Sequence, residues 1–64
     1  MLANNIKRFR NAKKLSQEQL AQKAGITYST VAKLESGANR NPTVNTIQRI
    51  AKALEVTLDE LMKD

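Results

Sequence analysis

The side chains of this sequence that could do covalent chemistry are hydroxyls and carboxylates. The serines that could act as nucleophiles have no base to activate them, because the sequence contains no histidine: Ser16, Ser29 and Ser36. The carboxylates cluster near the C terminus, on a short predicted helix without a cleft: Glu55, Asp59 and Glu60. Cysteine is also absent, which argues against disulfides and the usual zinc sites. We therefore expect a binding protein without metal, cofactor or catalytic activity.

The charged side chains point to the class of partner. Eleven Lys and Arg residues face six Asp and Glu residues, which gives a net charge of +5 on 64 residues. Residues 1–40 carry +6 and residues 41–64 carry −1. A charge of this size indicates an anionic partner, with a merely solubilising surface as the alternative. No apolar stretch is long enough for a secretion signal or a membrane span, so the expected location is cytoplasmic.

The first helix that could position these cations is predicted over residues 2–14. Leu2, Ile6 and Phe9 recur there at helical spacing, while basic side chains occupy the remaining faces. Leu15 is expected to follow as a buried link.

A second helix is predicted to begin at Gln17. Ser16 and Gln19 have the spacing of a capping box, in which each side chain binds the backbone amide of the other residue. The helix is expected to stop at Gly25, because glycine adopts the positive φ of a tight turn without steric cost.

Two further helices follow from similar signals. A third helix over residues 28–36 is predicted between the N-cap Thr27 and the terminating Gly37. A polar loop and a proline precede the fourth helix, which begins at Thr43 and has the strongest helical period of the chain: Val44, Ile47, Ile50, Ala51 and Leu54.

A short fifth helix is predicted over residues 58–63. Thr57 and Glu60 form a second capping box at its start. No segment alternates in the manner of a strand. The expected fold is therefore all-α, a compact five-helix bundle that forms one domain over residues 1–64.

The second and third helices have the pattern of a helix-turn-helix. Ala21 lies four residues before Gly25 and Val31 six residues after it, so a small residue, a sharp turn and a buried residue follow in order. The remaining apolar side chains supply a shared interior: Leu20, Ala24, Ile26 and Leu34.

This part of the chain, SQEQLAQKAGITYSTVAKLESG, resembles the Cro and phage-repressor type of helix-turn-helix, called the XRE family. The resemblance extends to Ile6, Phe9, Arg10 and Leu15 before it and to NPTVNTIQRIAKALEVTLDELM after it. It implies a five-helix fold whose third helix enters the major groove of double-stranded DNA. It also implies a cytoplasmic bacterial or phage regulator of transcription, a repressor in the main interpretation, that binds two-fold related half-sites as a homodimer.

The third helix supplies the expected base-reading residues. At 100° per residue, Ser29 points away from the inward direction set by Val31 and Leu34. We expect Lys33 to bind a guanine edge, Ser29 a base edge or nearby phosphate and Ala32 a thymine methyl. Tyr28 lies on the flank of the same face, where it could pack on a base or bind phosphate, or remain a half-buried ring.

Expected DNA-backbone contacts come from the ends of the second and third helices and from the loop after the third. A helix N-terminus presents free amides to phosphate, and the loop is rich in hydrogen-bond donors. The residues are Gln17, Thr27, Ser36, Asn39, Arg40 and Asn41.

Two further expectations concern structure. The resemblance implies an ion pair between Arg10 and Glu35 that fixes the third helix. Candidate dimer contacts lie at the C-terminal end: Val56, Leu58 and Met62. Glu55 departs from the family pattern, which often has Gly or Asn there.

Several alternatives remain open. Within the family, the chain could be an antitoxin or a restriction-modification controller with a protein partner, or the DNA-binding half of a longer repressor. A membrane-surface role is disfavoured because the apolar residues of the first helix are needed by the core, and nothing indicates a small-molecule ligand. RNA binding is disfavoured because the chain has only two aromatic residues, Phe9 and Tyr28.

Overall fold

The computed structural model describes residues 2–63, which form five helices without a strand. In chain order they are α1 (Leu2–Ala12), α2 (Gln17–Ala24), α3 (Tyr28–Ser36), α4 (Val44–Leu54) and α5 (Leu58–Met62). The predicted all-α five-helix fold is confirmed. None of the helices within residues 2–63 is both long and apolar enough to cross a bilayer.

The core receives a fully buried side chain from every helix. α2 and α3 pack against each other, α1 packs against α3 and α5, and α4 packs against α2. Each fully buried large side chain contributes about 1.5–3 kcal/mol. These side chains are Ile6, Leu20, Val31, Leu34, Ile50, Leu54 and Leu61. The third helix is thus supported by both α1 and α2.

Hydroxyl side chains begin four of the five helices. In α2 to α5, the N-cap oxygen accepts a hydrogen bond from the amide three residues later. Such a cap is worth about 1 kcal/mol. Both predicted capping boxes, Ser16 with Gln19 and Thr57 with Glu60, are confirmed.

The end of α1 differs from the prediction of a helix over residues 2–14. The helix ends at Ala12, because Lys14 takes a left-handed conformation with φ 59° and the Leu15 amide reaches back 3.1 Å to the Arg10 carbonyl. Leu15 is half-buried against the core instead of fully buried. The left-handed residue turns the chain toward α2.

The fourth helix shows a second difference, because Val44 is 67% exposed although it shares the apolar period of α4. It is the first residue of α4 and lies about 70° around the helix from the mean direction of the other apolar residues. The fifth helix ends at Met62, one residue before its predicted end.

Candidate nucleic-acid interface

The third helix separates a buried face from an exposed one. Val31 and Leu34 are 0% and 1% exposed, and together with Glu35 they form its inner face. Tyr28, Ser29 and Lys33 are exposed and Ala32 is half-buried. The four predicted base-reading residues therefore share the outer side of α3.

The polar groups on this outer side are uncommitted. Within residues 2–63, no hydrogen bond or ion pair engages the side chains of Tyr28, Ser29 or Lys33. The side chains at positions 29 and 32, a serine and an alanine, are small. The surface can therefore approach base edges closely and offer them a hydroxyl and an ammonium group.

The loop after α3 is held by its own backbone. The Asn39 amide donates to the Lys33 carbonyl at 3.2 Å, and the Asn39 side-chain oxygen accepts from the Asn41 amide at 3.1 Å. Arg40 and Asn41 are exposed. Arg40 is thus at the surface of the loop, where it lines a cavity of about 280 Å³ together with Leu2 and Leu34.

Two residues that were predicted to contact the DNA backbone cap the ends of α3 in this structure. The hydroxyl of Thr27 accepts from the Thr30 amide at 3.2 Å. The hydroxyl of Ser36 donates to the Lys33 carbonyl at 3.1 Å, so its only hydrogen is already used. Both side chains are exposed, but in this structure they stabilise the ends of α3.

Arg10 and Glu35 form a two-point ion pair between α1 and α3. The Nε of Arg10 lies 2.6 Å from Oε2 of Glu35, and its Nη2 lies 2.9 Å from Oε1. Nη1 donates to the Leu15 carbonyl at 2.7 Å. The Glu35 side chain is 2% exposed and the Arg10 side chain 13%. The guanidinium thus joins α1, the turn after it and α3.

Gln17 extends this network to α2. Its Nε2 donates to Oε1 of Glu35 at 3.1 Å, and its side chain is partly buried. One of its two amide hydrogens is therefore committed to Glu35, while the other remains available. The same carboxylate receives donors from α1 and α2, which orients the N-terminal end of α2 relative to α3.

The carboxyl group of Glu35 stays ionised because its donors outweigh its burial. Burial alone would raise the pKa, but hydrogen bonds from Arg10 and Gln17 and the charges of Arg10 and Lys7 lower it below the ordinary value of 4.5. The hydrogen bond that Arg10 donates to Glu35 also raises the pKa of Arg10 against the opposing effect of burial. The pair is therefore charged at neutral pH.

The candidate dimer residues lie in different environments. Leu58 is 37% exposed and Met62 49% exposed, whereas Val56 is half-buried against the core. Because Leu58 and Met62 are four residues apart on α5, they lie on one side of that helix. The exposed apolar surface of α5 comes from these two residues.

One residue with a structural role was not predicted from the sequence. Asn5 is 7% exposed, and its Nδ2 donates to the carbonyls of Leu61, at 2.8 Å, and of Lys63. The available signal was position, because residue 5 falls on the apolar stripe of α1 between Leu2 and Phe9.

No cluster of carboxylates within residues 2–63 is arranged to hold a metal ion.

Comparison with known proteins shows that the chain contains a domain shared with other proteins. A helix-turn-helix family model matches residues 6–61. The HTH-type transcriptional regulator YqaE of Bacillus subtilis is 40% identical over 98% of this chain and 53% of its own length. The chain spans about half the length of such curated relatives.

Two solved structures agree closely with the fold. The restriction-modification controller C.AhdI of Aeromonas hydrophila is 36% identical with a TM-score of 0.89, over 95% of this chain and 91% of its own. The biofilm regulator SinR, solved in complex with DNA, is 28% identical with a TM-score of 0.94, over 98% of this chain and 100% of its own. From the family match over residues 6–61 and these likenesses, the chain belongs to the XRE-type helix-turn-helix family.

Proposed function

We propose that this protein regulates transcription by binding double-stranded DNA sequence-specifically, with α3 in the major groove, and that it acts as a repressor. The observation that carries the proposal is the construction of α3. Its inner face is held by α1 and α2, while its outer face presents uncommitted small, polar and cationic side chains. A rigid helix with such a face suits the reading of base edges.

Each base-reading residue has a distinct role in this proposal. Lys33 donates to guanine O6 and N7, Ser29 binds a base edge and Ala32 packs on a thymine methyl. Tyr28, 52% exposed at the start of α3, packs its ring beside a base or binds phosphate through its hydroxyl.

Phosphate contacts fix the position of α3 in the groove. Arg40 and Asn41 donate from the loop, and Asn39 holds that loop in shape. Gln17 donates its free amide hydrogen, together with the backbone amides at the start of α2. Thr27 and Ser36 support the ends of α3 and contribute through their neighbouring backbone.

The protein binds as a homodimer in this proposal. A single α3 contacts few base pairs, and two-fold related half-sites double the number. Leu58 and Met62 form the centre of the interface, because they are exposed apolar side chains on one side of α5. Val56 supports them from the core.

A restriction-modification controller is the second candidate. It is favoured by the likeness to the controller C.AhdI, which extends over 91% of that protein. The surface that binds DNA is the same in both cases. The two candidates differ in the genes that they control.

Selection of bound sites from random DNA duplexes tests the proposal. We expect an enriched inverted repeat, and a binding constant that falls with salt with a log–log slope of about −0.9 for each neutralised phosphate. A single enriched half-site would contradict the dimer. The absence of any enriched sequence, or an affinity independent of salt, would contradict sequence-specific DNA binding itself.

A further inference from the structure

A basic groove lies between the C-terminal end of α2 and the outer side of α4. It has a volume of about 730 Å³, and three exposed cations line it: Lys23, Arg49 and Lys52. Within residues 2–63, no carboxylate lies within 4 Å of these three cations. Donor side chains such as Gln48 continue the lining.

The shape of the groove depends on Gly25. A Cβ at this position would lie 3.0 Å from Nη1 of Arg49, so the missing side chain lets the guanidinium lie against the turn after α2. Lys23 precedes that turn and Lys52 is one helical turn beyond Arg49 on α4. Three positive charges from two helices are thereby gathered along one concave surface.

The carboxylate that lines the groove is already paired. Glu55, at one end of the groove, forms an ion pair with Lys13 of α1. The hydrogen bond and charge of Lys13, with a smaller contribution from Lys23, lower the pKa of Glu55. Arg49 and Lys52 are therefore left for an external anion, and Lys23 has only the smaller charge interaction with Glu55.

The groove cations belong to parts of α2 and α4 that are not proposed to contact DNA, although the lining of the groove reaches Gly25, two residues before Thr27. Gln17 begins α2 and Lys23 lies near its other end, about 9 Å along the helix axis. A DNA duplex is broad and convex and fits the exposed face of α3, whereas a concave surface between two helices can accept a single chain. Its charge is complementary to carboxylates.

We propose that this basic groove, formed by Lys23, Arg49, Lys52 and Gln48, binds an acidic peptide segment of a partner protein while the protein is on DNA. The carboxylates of the segment pair with the three cations, and its backbone accepts from the polar side chains of the groove. The inference is independent of the base-reading roles, because binding of the peptide is measured first without DNA.

The probe is a fluorescein-labelled peptide of about seven residues in which glutamate alternates with alanine. An extended chain covers about 3.5 Å per residue, so this length spans the longest dimension of the molecule, 24 Å. Anisotropy at about 0.15 M salt gives the Kd, under conditions where charges more than about 8 Å apart are largely screened. A peptide with glutamine in place of glutamate is expected to show no binding.

Matched variants locate the site. Lys23→Gln with Lys52→Gln is expected to weaken peptide binding about tenfold, because two exposed ion pairs to the peptide are lost. Lys7→Gln with Lys14→Gln, the α1 control, removes the same charge from α1 and the turn after it and is expected to change the Kd less than about twofold. Glu55→Gln is expected to tighten binding. Equal losses in both double variants would overturn the proposal, because binding would then follow net charge.

Addition of DNA tests simultaneous binding. With a selected duplex bound, the peptide is expected to remain bound, because the proposed DNA contacts of α2 lie at its N-terminal end and the three groove cations lie elsewhere. Displacement of the peptide by DNA, or weaker DNA binding by the Lys23→Gln, Lys52→Gln variant than by the α1 control, would overturn the proposal. Failure of DNA binding with an intact peptide result would contradict only the proposed regulatory function.

Discussion

Lys33 and Arg40 carry the same charge, but Lys33 is proposed to bind a base edge and Arg40 to bind phosphate. Their substitutions are therefore expected to have different effects on DNA binding. Lys33→Ala is expected to cost about 1–3 kcal/mol at its cognate base pair and to relax the preference there. Arg40→Ala is expected to weaken all duplexes about equally and to reduce the salt slope by about one. Affinities for a panel of single-base variants of the selected site measure both effects. A uniform loss for Lys33→Ala would assign that side chain to phosphate instead.

The buried pair of Arg10 and Glu35 makes a prediction about stability. Arg10→Met leaves the carboxylate without its main donor and is expected to cost about 3–5 kcal/mol in urea unfolding. The double variant Arg10→Met, Glu35→Leu is expected to cost less than Arg10→Met alone, because neither charge is then left buried. A double variant that costs at least as much free energy of unfolding as Arg10→Met alone would contradict the coupling of the two charges. Since the single variant could unfold a chain of this size, Glu35→Gln provides a milder second measurement.

The ionisation of Glu35 predicts how stability changes with acid. Its pKa is lower in the folded protein than its ordinary value of 4.5, so the folded state binds this proton less readily than the unfolded state. The stabilisation is complete above that ordinary value and is lost as the pH falls through the folded pKa. Urea unfolding between about pH 3 and 7 measures this loss. The double variant Arg10→Met, Glu35→Leu is expected to show a shallower loss, with the remainder due to Glu55 and Glu60, whose pKa values are also lowered.

The sequence predicted the residues of α3 better than their partners. Angles around a helix follow from 100° per residue, and these placed Tyr28, Ser29 and Lys33 on the exposed side. The hydrogen bond from Gln17 to Glu35 depends on the distance between α2 and α3, which no local pattern encodes. The burial of Asn5 likewise depends on two carbonyls that lie more than fifty positions away.

At the scale of elements, the left-handed residues that end the helices make a prediction. Gly25→Ala and Gly37→Ala are each expected to cost about 1–2 kcal/mol, since both glycines have positive φ. The added Cβ at position 25 meets the flexible end of Arg49, which can move, so the two costs should be similar.

Glu55→Gly is expected to raise the Tm, because it relieves a left-handed glutamate and removes only an exposed ion pair. A lower Tm would show that the pair with Lys13 outweighs the strain.

Helix starts were more predictable than helix ends. A hydroxyl followed three residues later by Gln or Glu has a direct local cause, and both such boxes formed at the predicted residues. Lysine rarely adopts a positive φ, so the turn at Lys14 had no signal in the sequence, and α1 was predicted two residues too long. Val44 shares the apolar period of α4 but is exposed. The period gives the direction of a side chain around the helix, and it does not show whether another element packs against that side chain.

At the scale of the whole molecule, the exposed side of α5 predicts the oligomeric state. Met62→Lys is expected to weaken dimer association at least about tenfold, because burial of a methionine contributes about 1.5–3 kcal/mol. Val44→Lys is the matched control, since Val44 is also apolar and exposed but lies on α4. Sedimentation equilibrium measures both variants. An unchanged dimer with Met62→Lys, or equal weakening by Val44→Lys, would place the interface elsewhere.

Net charge was informative at this scale only in part. The count by segment assigned the positive charge to residues 1–40 and predicted an anionic partner. It concealed the basic groove, because Arg49 and Lys52 belong to the segment with charge −1 and meet Lys23 only after folding. A count along the chain cannot show charges that tertiary packing brings together.

The contact from Asn5 to the end of α5 also has a consequence for the order of folding. The interactions between α2 and α3 close short loops, whereas the bond from Asn5 to the Leu61 carbonyl joins residues 56 positions apart. Closure of a long loop carries a greater entropic penalty, so we expect α2 and α3 to associate early and α1 to meet α5 late. The helices proposed to read DNA would then be assembled before the proposed dimer surface of α5, and monomers would fold before they associate.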